Sequence, residues 1–246
     1  MLEVRHLSYS YEDGTQALSD VSFRMSDGER VGIVGANGAG KSTLLLHLNG
    51  LLPERHTKES AVRVSGTPVI EANLPEIRSK VGLLFQDSDD QLFCPTVGED
   101  VAFGPQQFAL SHEEVAAKVK GALEKVGLAG FEKRAPQWLS RGEKRRVCLA
   151  GLLACDAQIL ILDEPTSDLD PHSRRELLRI LRDLPIAQLV ASHDLEFVVQ
   201  LCPRVIVLDY GQVVADGDTI ELLNDEPRMV QYGLERPHIL QHSHPH

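Results

Sequence analysis

The sequence is poor in cysteine, in aromatic residues and in basic charge. Its 246 residues include four cysteines, one tryptophan and 5% aromatic residues, and the formal net charge is −11. Nucleic-acid binding needs basic surface that faces the phosphate backbone, and an acidic chain lacks it. The same charge disfavours electrostatic attachment to an anionic membrane. We therefore expect no nucleic-acid partner.

Long apolar runs are missing as well. No stretch of about 18 apolar residues occurs, so the sequence predicts no membrane-spanning helix. Residues 1–6 are not a basic segment followed by an apolar core, so we expect no signal peptide. The cysteines show no metal-ligand spacing, and we expect them to be reduced thiols of a cytosolic protein; they are Cys94, Cys148, Cys155 and Cys202.

A glycine-rich loop is the most informative segment. An apolar, β-branched stretch at 29–34 precedes it and a helical stretch at 44–49 follows it. This context predicts a phosphate-binding P-loop, in which Lys41 reaches the terminal phosphates and the Ser42 hydroxyl ligates Mg²⁺. The residues predicted to bind the nucleotide are Gly35, Ala36, Asn37, Gly38, Ala39, Gly40, Lys41, Ser42 and Thr43.

Strands and helices alternate along the rest of the chain. Two strands at 2–11 and 17–25 predict an N-terminal antiparallel β subdomain, and residues 87–155 predict a mostly helical insert. The alternation predicts an α/β fold with a mainly parallel sheet. We expect one domain over 1–224. A polar, proline-punctuated tail follows at 225–246, with His238, His242, His244 and His246.

Acidic residues follow the apolar stretch 158–162. Ligands of open α/β sheets bind beyond the carboxyl ends of the strands. We therefore expect Asp163 to hold Mg²⁺ and Glu164 to orient or deprotonate an attacking water. A solvated strand end with a routine turn is the alternative. Gln86, whose carbonyl oxygen suits a Mg²⁺ shell, and His193 also end strands, but each is weak alone and a lone histidine there is more often structural.

A helix is predicted from Ser140 to about Ala154. Ser140 and Glu143 have the spacing of a capping box. Basic residues in the first turn oppose the helix dipole, which indicates that this terminus receives an anion. A well-capped helix without a ligand explains the segment equally well. Tyr11 is a candidate for stacking on an adenine ring, although a half-buried strand aromatic is the commoner explanation.

Together these residues resemble the nucleotide-binding subunit of ATP-binding-cassette (ABC) transporters. The resemblance extends to about residue 224, and Tyr11 falls where the family has its adenine-stacking aromatic. It implies the ABC ATPase fold, with ATP and Mg²⁺ as cofactors. The matching motifs are the Walker A loop at 35–43, the Q-loop glutamine Gln86, the signature at 139–143, Walker B at 159–164, the D-loop at 167–170 and the switch histidine His193.

The resemblance implies a head-to-tail pair of subunits, identical or paralogous, with ATP between them. Each nucleotide touches the P-loop of one chain and the signature helix of the other, which gives Ser140, Gly142 and Asp170 nucleotide contacts. Catalytic roles are implied for Lys41, Glu164 and His193.

One position departs from the family. The signature usually has glycine where this chain has Arg141. We expect the site to work, because Ser140 and Gly142 are intact.

Residues 85–105 resemble the ATPases of energy-coupling-factor importers, especially the cobalt and nickel branch. This implies a peripheral position on the cytoplasmic face of the membrane, a transmembrane coupling protein and a small membrane substrate-binding protein. Imidazole suits Ni²⁺ and Co²⁺, although a short histidine tail is a poor predictor of metal handling. Vitamin import is the alternative. A soluble ABC protein of DNA repair would carry long coiled-coil heptads and one of the ribosome would carry a second P-loop, and this sequence shows neither. An ATP-dependent kinase is disfavoured because it would leave the signature residues without a role.

Overall fold

The computed structural model describes residues 1–53 and 59–241. The chain divides into two compact units, Met1–Arg78 with Ala187–His246 and Ser79–Ile186. The strands are β1 (Leu2–Ser10), β2 (Gln16–Met25), β3 (Arg30–Val34), β4 (Val62–Val64), β5 (Thr67–Pro68), β6 (Val81–Leu84), β7 (Ile159–Asp163), β8 (Ala187–Ala191), β9 (Arg204–Asp209) and β10 (Gln212–Asp218). The helices are α1 (Lys41–Leu48), α2 (Leu74–Lys80), α3 (Val97–Phe103), α4 (His112–Lys125), α5 (Arg141–Ala154), α6 (Pro171–Asp183), α7 (Leu195–Leu201), α8 (Thr219–Asn224), α9 (Glu226–Gln231) and α10 (His238–Gln241).

The first unit contains an antiparallel sheet in the order β2-β1-β4-β5. Its strands alternate buried and exposed residues, as Val4 and its partner Phe23 show on the buried face. The unit also contains β3 between β8 and β9, both parallel to it, with β10 antiparallel at the outer edge of β9. Every residue of β8 is buried, which is typical of a parallel strand covered on both faces.

The second unit pairs β6 with β7 in parallel, with Leu84 opposite Leu162. Helix α5 packs against α3, α4 and α6. Helices α3, α4 and α5 each begin with a capping box. In each, the N-cap hydroxyl accepts from the backbone N–H of the glutamate three residues on, and the carboxylate of that glutamate accepts from the N-cap backbone N–H. The pairs are Thr96 with Glu99, Ser111 with Glu114 and Ser140 with Glu143.

The predicted fold is confirmed, with an antiparallel N-terminal sheet and mostly parallel pairing around β3. The predicted tail contains α9 and α10, whose Met229 and Leu240 are buried. The last three tail histidines, at 242, 244 and 246, lie outside the described residues. Within 1–53 and 59–241, no helix has the length and apolar character to cross a membrane.

Candidate functional site

The glycine loop joins β3 to α1, and two of its glycines lie where a side chain has no room. A Cβ on Gly35 would lie 2.1 Å from the carbonyl oxygen of Leu208. At Gly40, which has φ of +99°, a Cβ would lie 2.5 Å from the carbonyl oxygen of Ala17. The loop therefore lies tightly against neighbouring backbone, and a Cβ at either position would displace it.

Lys41 closes this loop from the first turn of α1. Its Nζ donates to the carbonyl oxygens of Gly35 at 2.8 Å and Ala36 at 3.1 Å, and the residue is 8% exposed. Ser42 is exposed, whereas Thr43 is buried and its Oγ1 is 2.8 Å from the Tyr11 hydroxyl. The loop is thus held in shape by its own lysine, and Ser42 is exposed beside it.

His193 lies at the same sheet edge as the loop. Strands β3 and β8 are parallel neighbours, with Ile33 opposite Ala191, so the loop after β3 and the residues after β8 leave the sheet in the same direction. His193 is exposed there, and Asp194 caps α7 by accepting from the backbone N–H of Phe197 at 2.9 Å. This edge brings the predicted phosphate loop and the predicted switch histidine together.

The second unit places Gln86 and Glu164 at one edge in the same way. Strands β6 and β7 are parallel, so the residues that follow Leu84 and Leu162 share an end of the pair. Glu164 is 7% exposed and has φ of +44°. Left-handed backbone costs a non-glycine residue about 1 to 3 kcal/mol and is concentrated at functional sites. The strained, buried carboxylate fits a catalytic role for Glu164.

The signature segment begins α5 with the predicted cap. Ser140 Oγ accepts from the backbone N–H of Glu143 at 3.2 Å, and Glu143 Oε2 accepts from the backbone N–H of Ser140 at 2.8 Å. Burial raises the pKa of the Glu143 carboxyl, but the hydrogen bonds to Ser140 outweigh it and leave the pKa lowered. The carboxylate is therefore ionised at neutral pH and completes the cap.

Gly142 and Arg141 have opposite surroundings. A Cβ on Gly142 would lie 2.3 Å from Ser173 Oγ and 2.5 Å from Ser173 Cβ. The Arg141 side chain is 75% exposed, with its Nη1 3.8 Å from Asp168 Oδ1. Of these two signature positions, only 142 is restricted to glycine by packing within the chain. That Arg141 leaves the site intact stays a prediction.

Asp170 is the N-cap of α6. Its carboxylate accepts from the backbone N–H groups of His172 at 2.9 Å and Ser173 at 3.1 Å, and from Ser173 Oγ at 2.6 Å. The hydrogen bonds from Ser173 lower the pKa of this carboxyl. The structure thus assigns Asp170 a capping role, and its predicted nucleotide contact stays a prediction.

Sequence reasoning missed Arg145, which contacts the Q-loop. Arg145 is 4% exposed and donates from Nη1 to the Phe85 carbonyl and from Nη2 to the Gln86 carbonyl, both at 2.5 Å. Beside it, Lys144 Nζ lies 2.6 Å from Asp89 Oδ1. The basic run at 144–146 was a visible signal, but its contacts lie about 60 residues away in sequence and could not be assigned.

An apolar groove was missed as well. It has a volume of about 300 Å³ and is lined by residues that include Phe93, Phe103, Val147 and Leu152. Phe93 is 64% exposed and Phe103 is 47% exposed, and their rings meet edge to face with centroids 4.9 Å apart. Two exposed aromatic rings in contact beside an apolar groove make this surface a candidate for binding a partner.

A buried lysine that closes a glycine loop after a parallel strand defines a P-loop nucleoside triphosphatase. A family model described as ABC transporter matches residues 18–167. The chain belongs to the ABC transporter family, as an ATP-binding and ATP-hydrolysing subunit. ATPases of this family bind ATP, generally with Mg²⁺, and work as dimers with transmembrane partners.

Individual relatives agree. The energy-coupling factor transporter ATP-binding protein EcfA of Methanothermobacter thermautotrophicus is 47% identical over 242 residues, which are 96% of this chain and 77% of that protein. CbiO1 of Clostridium perfringens, part of the ABC transporter complex CbiONQ, gives a TM-score of 0.82 at 33% identity, over 98% of this chain and 97% of that one. A dimeric ATP-binding cassette, MJ0796, in a post-hydrolysis state with ADP and phosphate, gives 0.77 at 27% identity over 89% and 99%. The predicted ATPase activity is confirmed.

Proposed function

We propose that this ATPase energises an energy-coupling-factor importer for cobalt or nickel, from a peripheral position on the cytoplasmic face of the membrane. The 47% identity to an EcfA protein and the likeness to CbiO1 support the transporter type. The resemblance of residues 85–105 to the cobalt and nickel branch supports the metal. The buried, strained Glu164 at the end of β7 is the observation that carries the catalytic part of the proposal.

The residues at the two sheet edges fit a nucleotide with Mg²⁺. The backbone N–H groups of the loop and the Lys41 ammonium are suited to binding an anion. Because Gly35 has no Cβ, the loop can pack closely against the backbone of Leu208. Ser42, Gln86 and Asp163 would hold Mg²⁺, since all three offer the oxygen donors that this ion prefers. Bound there, Mg²⁺ would neutralise charge on the β- and γ-phosphates. Similarity to the family is what supports the proposal that residues of both units contact one nucleotide.

The chain's own groups then divide the chemistry. Glu164 accepts a proton from, or orients, the water that attacks the γ-phosphate in line. Lys41 and the loop N–H groups stabilise the charge that develops on the phosphate oxygens, and His193 donates to the γ-phosphate. Tyr11 stacks on the adenine. Ser140 and Gly142 contact the nucleotide of the second ATPase subunit, which is an identical chain or a paralogue.

Replacement of Glu164 tests the catalytic assignment. Glu164→Gln removes the base but keeps the shape, so we expect it to bind ATP, to form an ATP-dependent dimer and to lose turnover at least 100-fold. Glu113→Gln, on the exposed first turn of α4, is the control and should keep the wild-type rate. Turnover of Glu164→Gln at the wild-type rate would show that Glu164 is not the base.

The apolar groove is the proposed docking surface for the transmembrane coupling protein. Phe103→Asp places a charge among its rings and should abolish co-purification with membrane proteins from detergent extracts, while ATP binding is unchanged. Val230→Asp alters another exposed apolar residue, 68% exposed on α9, and should co-purify normally. Equal retention of both variants would contradict docking at the groove.

Uptake by the assembled transporter tests the substrate. Cells that carry the co-purified membrane partners should accumulate radiolabelled Co²⁺ or Ni²⁺, and they should lose this uptake with Glu164→Gln. Uptake of a labelled vitamin without either metal would refute the metal assignment and leave the ATPase role intact.

A further inference from the structure

His47 lies on α1, six residues beyond Lys41, and is 4% exposed. Its Nδ1 is 2.8 Å from the carbonyl oxygen of Thr43. A carbonyl oxygen only accepts hydrogen bonds, so Nδ1 carries the hydrogen and donates it. This bond fixes the plane of the imidazole ring one helical turn beyond the P-loop.

Tyr9 connects this imidazole to Tyr11. The Tyr9 ring meets the His47 ring edge to face, with centroids 4.6 Å apart and planes at 70°. It meets the Tyr11 ring in the same manner at 5.1 Å and 81°. The Tyr11 hydroxyl lies 2.8 Å from Thr43 Oγ1. Tyr9, Tyr11, Thr43 and His47 thus form a closed circuit of contacts, in which His47 reaches the backbone carbonyl of Thr43 and Tyr11 reaches its hydroxyl.

The circuit orients the Tyr11 ring. The backbone of Tyr11 is held across the turn, since its N–H donates to the Thr15 carbonyl at 3.0 Å and its carbonyl accepts from the Gly14 N–H at 2.9 Å. Tyr11 lies one residue past the end of β1 and is 40% exposed, so the orientation of its ring depends on its side-chain contacts. The Thr43 hydroxyl holds the ring at one end, and the Tyr9 edge supports it at the side. His47 in turn supports Tyr9 from the buried side. Edge-to-face pairs of this kind prefer defined orientations and resist rotation.

We propose that His47, acting through Tyr9, is a positioning residue that holds the Tyr11 ring in the orientation that receives the nucleotide base. The inference rests on the proposed nucleotide binding, with Tyr11 as the base platform. Loss of His47 should weaken recognition of the base and leave recognition of the phosphates unchanged. A merely structural role in α1 would weaken both, because α1 begins with Lys41.

Two probes separate the base from the phosphates. We would measure Kd for Mg²⁺-ATP and for inorganic triphosphate with Mg²⁺ by calorimetry, on the full chain. His47→Ala should raise Kd for ATP about three- to tenfold and change Kd for triphosphate less than twofold. Tyr9→Leu should give the same pattern, and it tests the circuit independently if His47→Ala folds poorly. Asn49→Ala, at a buried residue that caps the same helix, should change Kd for neither ligand.

A double replacement tests whether His47 acts through Tyr11. In the Tyr11→Leu background, His47→Ala should cause no further loss of ATP affinity, because the ring that it positions is absent. The inference is wrong if the losses of ATP affinity caused by His47→Ala and Tyr11→Leu multiply in the double variant, or if His47→Ala weakens the binding of ATP and triphosphate equally. ATP binding by the wild type would still support the proposed function in either case. Failure of the wild type to bind either probe would refute the proposed function itself.

Discussion

The Arg145 guanidinium is hydrogen-bonded to the carbonyl oxygen of Gln86 at 2.5 Å. Its other terminal nitrogen bonds the Phe85 carbonyl, so one fork from the signature helix holds two successive Q-loop carbonyls. Desolvation by burial lowers the pKa of Arg145, although nearby acidic groups partly offset this. The buried cation is stabilised there because both terminal nitrogens donate to carbonyl oxygens in a fixed geometry, although its buried Nε has no hydrogen-bond partner among the residues that the structure describes.

Replacement of Arg145 should be costly. Arg145→Ala leaves two carbonyls without their donors and removes a buried side chain, and we expect a loss of about 2 to 4 kcal/mol in the free energy of unfolding. Arg145→Lys keeps the charge but lacks the forked guanidinium, so it should retain only part of the stability that Arg145→Ala loses. Denaturant titration measures both.

Lys144→Ala is the matched control for Arg145. Lys144 is the adjacent basic residue, and its partner Asp89 is largely exposed. Exposed ion pairs contribute little, so we expect a change below about 1 kcal/mol. Equal losses for Lys144→Ala and Arg145→Ala would show that the forked bond has no special value.

Gly142→Ala should destabilise the protein by about 1 to 3 kcal/mol, because the new Cβ overlaps Ser173. Gly151→Ala is the control on the same helix: nothing lies within 4 Å of its added Cβ, and helix propensity predicts stabilisation of about 0.5 to 1 kcal/mol. In a Ser173→Gly background the cost of Gly142→Ala should disappear. A loss that persists there would place the conflict elsewhere.

Arg141→Gly restores the residue that the family usually has. Because the Arg141 side chain is exposed and the packing restriction falls on Gly142, we expect the ATPase rate of the assembled transporter to change less than about tenfold. A gain of tenfold or more would show that Arg141 impairs the site.

The contact between Tyr9 and Tyr11 is predictable from the period of a strand. Residues two apart on a strand share a face, and the Tyr9 and Tyr11 rings are in contact. The contact between Tyr9 and His47 could not be predicted, because the two residues are 38 apart in sequence and no local pattern relates them. The same holds for Arg145 and the Q-loop. The capping box at Ser140 was predictable because its two members lie within one turn.

Asp170 should make stability depend on pH in the acid range. Its pKa in the native protein is lowered from 3.8, chiefly by the Ser173 hydroxyl and backbone N–H. The stabilisation is therefore fully present above the unfolded pKa and is lost as pH falls through the native pKa. The difference in the free energy of unfolding between wild type and Asp170→Asn should therefore become smaller below about pH 4. Ser173→Ala should raise the native pKa of Asp170 in an NMR titration, and an unchanged value would contradict this cause.

Trp138, the only tryptophan in the sequence, precedes Leu139 and Ser140 at the start of α5 and is 82% exposed. If α5 meets a second subunit across ATP, this indole becomes buried on closure. Its emission in Glu164→Gln should then shift to shorter wavelength on addition of Mg²⁺-ATP, and quenching by iodide should fall about twofold or more as the exposed indole is covered. Lys41→Ala, which lacks the P-loop lysine, is the control and should show neither change. A dimer seen by size-exclusion chromatography with unchanged Trp138 emission would place the contact away from the signature helix.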